Sequence, residues 1–403
     1  MRMSVKNGYN CYGCRVCEQV CPVKAISFHC NERGFYYPEI DKTKCTGCNL
    51  CEKSCGLNNK REKNRPLNFY ALKIRDKSIK KKSSSGGAFY LLAKLIIEEG
   101  GVVYGCYVND SIDVVYGRAE TLDECIPFMG SKYVQSDMQD VVTFVKADLK
   151  AGRKVLFTGT PCGCLGIKTA ITKFNHTGQL ILCDFYCHGA PSPMIFSDFK
   201  LFMERKYGGK IVNFIFRDKE KVINPPSSRG MRMNIKRKDE IIDVYDSRAN
   251  DMYFEMFKYN YILRECCYEC PCIGIERDTD ITMGDYWGCE NFHPEFFDRD
   301  GISVISINTR LGKVLFDNVC ENAEYIQIKE DEIRQPMILH APQKANDYDK
   351  IWNVYYSEGF ENAANVVINA HKLNFYTRFK ISMMRRLPVS WSNALRKMKH
   401  RAK

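Results

Sequence analysis

No stretch of this 403-residue chain approaches the roughly 18 apolar residues that a membrane span needs. The best candidate, Phe89 to Ile97, is nine residues long and is interrupted by Lys94. No apolar signal segment opens the sequence, which begins MRMSVKNGYNC, so a cytoplasmic, reducing compartment is expected. The dinucleotide fingerprint G-x-G-x-x-G occurs nowhere. Acidic residues are missing from 371–403, which hold ten Lys or Arg. Of the formal charge of +12, that leaves +2 for the first 370 residues. A nearly neutral body offers nucleic acid no basic face, so nucleic acid is not an expected partner. Cysteine, by contrast, is abundant, at 21 residues. A disulfide scaffold belongs to small secreted chains, whereas many thiols in a large chain from a reducing compartment point to metal. Hydrophobic residues at 45% and charged residues at 27% are the proportions of a soluble globular protein with two or three domains.

Nine of the cysteines precede residue 56 and the next is Cys106, which marks a domain boundary. The polar stretch KREKNRPLN, Lys60 to Asn68, suits a linker. Ahead of it, CYGCRVCEQVCP (Cys11 to Pro22) recurs 34 residues later as CTGCNLCEKSCG (Cys45 to Gly56). Both units read C-x2-C-x2-C-x3-C. This spacing sets three thiolates around one iron–sulfur cube and sends the fourth to the other cluster. One [4Fe–4S] cluster is therefore assigned to Cys11, Cys14, Cys17 and Cys55, and a second to Cys45, Cys48, Cys51 and Cys21. The pattern resembles that of bacterial two-cluster ferredoxins, except that Gly56 replaces a second Pro and Cys30 is extra. Between the repeats, AISFHCNERGFYYPEI predicts a β-hairpin turning at Asn31 and Gly34. Zinc knuckles would use two C-x2-C halves, not eight cysteines in this paired pattern.

From Asn68 the pattern becomes strand then helix. FYALKI is an apolar strand, and after the basic run Lys80 to Lys82, Ala88, Leu91, Leu92, Leu95 and Ile96 recur at helical spacing. Ser83 to Gly87 then sit at a helix N-terminus, where free N–H groups suit a nucleotide pyrophosphate; an ordinary N-cap with turn glycines is the plainer alternative. Two strand-to-helix junctions carry cysteine. Val155 to Phe157 runs into the turn Gly159 to Cys162, and Leu180 to Phe185 runs into Cys187-His188-Gly189, with a helix from near Pro193. Open α/β sheets place ligands at the carboxyl ends of such strands. A third group packs Cys266, Cys267, Cys270 and Cys272 ahead of the strand-like DITMGD; the C-x2-C pair Cys267 and Cys270 would make four thiolates with Cys162 and Cys187. Cys164 and Cys183 read as packing thiols. His188 suits a proton donor or a hydrogen-bonded structural histidine, Asp285 and Trp287 suit site lining or strand termination, and no pattern names a catalytic acid or base.

Ser85-Gly86-Gly87, GSKYVQS (Gly130 to Ser136), GTPC (Gly159 to Cys162), CHGAPSP (Cys187 to Pro193), the Cys267 and Cys270 pair and DITMGDYWG (Asp280 to Gly288) occur in the order seen in the beta subunits of coenzyme F420 hydrogenase and dehydrogenase, which this chain resembles over residues 1–345. That family includes bacterial proteins from polysaccharide-biosynthesis gene clusters. The resemblance implies an α+β ferredoxin-like N-terminal domain followed by an α/β flavin-binding body with a mixed sheet. Its implied boundaries are 1–60 for the two-cluster domain, 61–150 and 151–345 for the family's N-terminal-like and C-terminal-like domains, and 346–403 for a helical region with a basic tail. It also implies FAD, with Ser85, Gly86, Gly87, Ser131, Lys132 and Tyr133 as contacts, and a third [4Fe–4S] cluster on Cys162, Cys187, Cys267 and Cys270. Cys266 and Cys272 are extra, which leaves a local exchange of ligands open.

The implied function is an iron–sulfur flavoprotein oxidoreductase that passes electrons from the clusters through FAD to an organic substrate or a deazaflavin such as F420. The alternative is an electron-transfer subunit without a substrate of its own. Either requires a redox donor or acceptor protein, and the first also a small-molecule substrate. The tail 371–403 interleaves its basic residues with Phe375, Phe379, Trp391 and Leu395. Such a segment suits peripheral contact with an anionic membrane, with a solvated terminal helix as the alternative.

Overall fold

Strands that are apolar on both sides need cover on both faces, and the body of the protein is organised around that requirement. A computed structural model describes residues 10–58, 61–172, 174–219, 230–238, 240–246 and 252–372. The strands are β1 (Ile26–Cys30), β2 (Tyr36–Ile40), β3 (Asn68–Ile74), β4 (Val102–Val108), β5 (Val114–Ala119), β6 (Lys154–Thr158), β7 (Gln179–Phe185), β8 (Lys210–Asp218), β9 (Gly230–Arg237), β10 (Glu240–Asp246), β11 (Ile281–Asp285), β12 (Ser303–Ile307) and β13 (Ala323–Ile328). Eight of them form one mixed sheet in the order β13-β3-β12-β11-β7-β6-β4-β5. Strands β4, β6, β7 and β11 are parallel neighbours. The other pairings in the sheet are antiparallel.

The period-two rule sorts the side chains of β6. Leu156 packs with Leu91, Leu92 and Ile96 of the helix Ala88–Glu98, while Val155 and Phe157 point to the opposite face. There they meet Val142 and Val145 of the helix Val141–Lys150 and Ile167 of the helix Pro161–Ile171. Helices therefore cover both sides of the sheet, as expected for an α/β body. β3 comes from the segment 61–150 yet lies between β12 and β13, so that segment and 151–345 share one sheet. A separate three-stranded antiparallel sheet, β10-β9-β8, follows the helix Pro193–Tyr207.

Contacts cluster the chain into two units, Met1–Tyr348 and Asp349–Lys403. The N-terminal hairpin pairs β1 with β2 as expected, with Gly34 at φ 80° and Asn31 Oδ1 accepting from the N–H groups of Arg33 and Phe35. The stretch after it is not a loose linker. Arg61 pairs with Asp278, Asn64 bridges Arg277 through the backbone, and Leu67 N–H donates to Ile307 O at 2.7 Å. A buried carboxylate and two backbone pairings outweigh the polar composition that suggested freedom. Around the second unit the helices Tyr348–Glu358 and Phe360–Ala370 meet at Gly359, with Trp352 against Tyr355 and Tyr356. The basic tail from 373 onward lies outside the described residues. Among the described residues no helix is long and apolar enough to cross a membrane.

Candidate functional site

The two cysteine repeats fold alike. In each, the glycine after the first cysteine has φ 71° (Gly13 and Gly47), and a left-handed residue (Arg15 at φ 56°, Asn49 at φ 58°) opens a four-residue helical turn. That path turns the chain sharply between cysteines, so their side chains can face a common centre. Cys11, Cys14, Cys17 and Cys55 do share one neighbourhood. Burial first, then the nearby thiols of Cys11 and Cys55, push Cys14 up to about 12, and Cys17 rises by burial with Cys14, Cys11 and Cys55 beside it. Cys51 is likewise raised by burial, with Cys21 among its neighbours. Cys45 and Cys48 are exposed. Backbone N–H groups point at sulfur on both sides, Gly13 to Cys11 at 3.2 Å and Ala25 to Cys21 at 3.3 Å. Gly56, where a ferredoxin would carry Pro, has no room for one: a Cβ there would stand 2.7 Å from Leu165 Cγ.

The helix Pro161–Ile171 carries this domain. Gly166 lets Cys14 approach, so that an added Cβ would lie 3.1 Å from its sulfur, and Thr169 Oγ1 donates to Ser54 O at 2.9 Å. The same helix starts at the carboxyl end of β6, capped by Thr160, and presents Cys162 in its first turn. Cys187 follows β7. Cys162 has Cys272, Cys187 and Cys267 as thiol neighbours, and burial raises it well above an ordinary thiol. In the pairs Cys266–Cys267 and Cys270–Cys272 one thiol hydrogen-bonds the other, which lowers Cys267 and Cys272. Ala190 N–H also donates to Cys267 Sγ at 3.4 Å. Six thiols thus gather where four were expected, and Cys272 is among them.

These thiols open onto a cavity of about 480 Å³ at the carboxyl ends of the parallel strands. Its walls include Tyr12 and Cys14 from the first repeat, Cys162, Cys187, Cys267 and Cys270, and both loops expected to hold a flavin. The size falls within the range of small-molecule and cofactor sites. Ser85, Gly87, Ser131, Lys132 and Tyr133 line it; Gly86 does not. Gly86 donates its N–H to Ser303 Oγ at 3.0 Å, and a Cβ would meet Leu72 O at 2.1 Å, so its glycine serves backbone packing. Ser85 Oγ is committed to Ile302 O at 2.6 Å. Ser84, which the sequence reading passed over, meets Ser131 Oγ at 2.8 Å on the cavity wall. Gly87, at φ 92°, starts the helix Ala88–Glu98 without a side-chain cap. Lys132 Nζ donates to Pro127 O and Met129 O, each at 2.8 Å, and burial lowers its pKa to about 8.

Residues 152–333 match the C-terminal model of the coenzyme F420 hydrogenase/dehydrogenase beta subunit, and residues 10–58 match a 4Fe-4S dicluster domain. Residues 152–333 are thus similar to the C-terminal part of the coenzyme F420 hydrogenase/dehydrogenase beta subunit. With the dicluster domain ahead of that part, the chain is an iron–sulfur electron-transfer protein. A chain from the F420-reducing [NiFe] hydrogenase complex of Methanosarcina barkeri is 14% identical, with a TM-score of 0.45, covering 78% of this chain and 95% of that one. No curated protein matches.

Among the described residues no three His, Cys, Asp or Glu side chains converge as one bound ion would require. Cubane ligands stand farther apart, each on its own iron. Much of the surrounding polar network gives no local sequence signal. Arg264, 1% exposed, donates from Nε to Cys11 O at 2.6 Å, from Nη1 to Gln135 Oε1 at 2.9 Å and from Nη2 to Tyr36 O at 2.8 Å. Arg277, 2% exposed and on the cavity wall, donates from Nη1 to Cys272 O at 2.7 Å, while its Nε and Nη2 have no hydrogen-bond partner among the described residues. Asp184, buried beside it, rises to about 6 because burial outweighs Arg277 and the Thr282 hydroxyl. His188 Nε2 is held by Asn260 Oδ1 at 2.7 Å, as a structural histidine would be. Asp285 ends β11 and binds Arg217 at 2.7 Å, which fixes one wall of the cavity. Cys164 and Cys183 are fully buried in the cores, as packing thiols should be.

Proposed function

We propose that the chain is an iron–sulfur flavoprotein oxidoreductase that moves electrons between its N-terminal clusters and an organic substrate or a deazaflavin cofactor such as F420 in the cavity. The observation that carries this reading is that the first cysteine repeat and the Cys162, Cys187, Cys267 and Cys270 group border one cavity, whose other walls include Ser83, Ser84, Ser85, Gly87 and the Gly130–Tyr133 turn. On this reading Cys11, Cys14, Cys17 and Cys55 hold one cluster, Cys45, Cys48, Cys51 and Cys21 a second, and Cys162, Cys187, Cys267 and Cys270 a third. FAD would lie against Gly87, Ser131, Lys132 and Tyr133, with Ser84 added. When bound, the clusters supply single electrons and the flavin a two-electron, hydride-like transfer. The protein's own contribution is to exclude water with Tyr12 and Tyr116, both buried, and to hold the loops in place through Lys132 and the Asp285–Arg217 pair.

A second reading, an electron-transfer subunit serving a partner enzyme, is favoured by the exposed loop of the second repeat. Residues 42–50, with Cys45 and Cys48, are all exposed, which suits docking of a redox protein. Two measurements on anaerobically purified protein separate the readings. Iron and flavin content should be about twelve irons and one flavin per chain for three cubanes and FAD. No flavin would remove the reductase reading. Turnover of a small molecule by the chain alone, with dithionite or ferredoxin as donor, would remove the subunit reading.

A further inference from the structure

A buried cation normally sits beside a carboxylate, because several kcal/mol of lost hydration must be recovered. Arg264 breaks this pattern. Its three hydrogen-bonded nitrogens go to neutral oxygens, those of Cys11, Gln135 and Tyr36. Among the described residues no carboxylate lies within 4.0 Å of it. Its neighbours are instead the Tyr37 ring, whose centroid is 4.2 Å from Cζ, and the two cysteine segments, Cys11 through its carbonyl and Cys267 through its N–H, which donates to Arg264 O at 2.9 Å. Burial opposes its charge, and the groups that favour it are led by Cys11 and Cys266, with Tyr37 and Cys267 following. Cys11 belongs to the first repeat and Cys267 to the third thiol group. One guanidinium, bonded to Cys11 O and lining the same cavity as Cys266 and Cys267, therefore borders both cysteine segments, and thiols carry negative charge when they ligate iron.

We propose that Arg264 is the shared counter-cation of the first and third clusters, raising the reduction potential of both and leaving that of the second cluster unaffected. The inference rests on the three-cluster reading above. Its physical basis is that an added electron makes a cluster more negative, and a buried positive charge nearby stabilises that form; in a low-dielectric site the effect is not screened. Cys45 and Cys48 are exposed, and none of the four cysteines of the second cluster is among the strongest influences on Arg264, which are Cys11, Cys266, Tyr37 and Cys267.

The test is potentiometric titration of the full-length holoprotein, with the clusters followed separately by electron paramagnetic resonance. Arg264→Gln removes the charge. Gln135→Glu keeps the arginine and sets a carboxylate against Nη1, at the position where Gln135 Oε1 now accepts at 2.9 Å. Both should move the first and third clusters to more negative potential, so that at a fixed ambient potential their reduced-to-oxidised ratio falls by about tenfold. The second cluster is the internal reference and should stay in place. If R264Q loses iron, Q135E decides alone. No shift in either cluster, or an equal shift in all three, overturns the inference. A wild-type count near eight irons instead overturns the three-cluster reading, and the shared role with it.

Discussion

Gly13 and Gly47 provide a matched pair for testing the contact between the dicluster domain and the body. They occupy equivalent places in CYGC and CTGC, both have φ 71°, and each would pay the same backbone strain on substitution by alanine, about 1 kcal/mol. Their surroundings differ. A Cβ on Gly47 meets nothing within 4 Å, whereas on Gly13 it would stand 2.5 Å from Gln135 Nε2 and 3.0 Å from Arg264 Nη1. Gln135 would have to withdraw, breaking its 3.1 Å bond to Tyr12 O and the 2.9 Å bond it accepts from Arg264. A neutral hydrogen bond is worth about 1 kcal/mol and a charge-assisted one about 2. Gly13→Ala should therefore cost about 4 kcal/mol and Gly47→Ala about 1, a difference of about 3, or roughly a hundredfold in the unfolding equilibrium. Urea titration of anaerobically purified holoprotein, followed by the visible absorbance of the clusters and by circular dichroism, reads that difference. Equal destabilisation by the two substitutions would show that Gln135 and Arg264 do not press on the first repeat, and the contact argument would fail.

The third thiol group gives a sharper choice of ligand. Cys270→Ser is expected to lower iron from about twelve to about eight per chain, and Cys272→Ser to leave it near twelve; the reverse result would exchange their roles. Asp184 predicts a pH dependence. Its folded pKa of about 6 lies above the ordinary 3.8, so the folded state binds the extra proton, and stability present below about pH 4 is lost as pH rises through 6. The loss is about 3 kcal/mol, and Asp184→Asn should flatten the slope; a wild-type slope retained in the variant would assign it elsewhere. Leu156→Ala, at the centre of the sheet, should cost about 2–5 kcal/mol in the same urea assay, and a cost under about 1 would contradict its burial. Deleting 371–403 should weaken binding to vesicles of anionic lipid, and unchanged binding would remove the proposed membrane contact.

Much of the fold was legible because its signals are local. The strand ending at Ile74, the strands around Val155 and Leu180, the helix entered at Pro193 and the hairpin at Gly34 all follow from short apolar runs bounded by turn residues. What could not be read was how distant segments answer one another. The polar composition of 60–68 suggested a linker because nothing local reveals that Asp278 awaits Arg61. Gly86 looked like a phosphate-binding glycine, since a Ser-Gly-Gly turn before a helix has the same form whether a ligand or Leu72 O comes close to it. Ser84, Arg264 and Arg277 belong to no motif.

The sequence by itself determined the chemistry of the dicluster domain: the doubled C-x2-C-x2-C-x3-C spacing sets where thiols stand along a tightly turned backbone, and that depends only on neighbours in the chain. Tertiary structure alone decided which of two equivalent repeats faces the cavity, that five other thiols gather around Cys162, and that Arg264 lies buried against both cysteine groups. The reason is the same in each case. Burial and close approach are properties of packing between segments that lie up to about 250 residues apart, as Arg264 Nε and Cys11 O do, and such pairings leave no periodic trace in either segment.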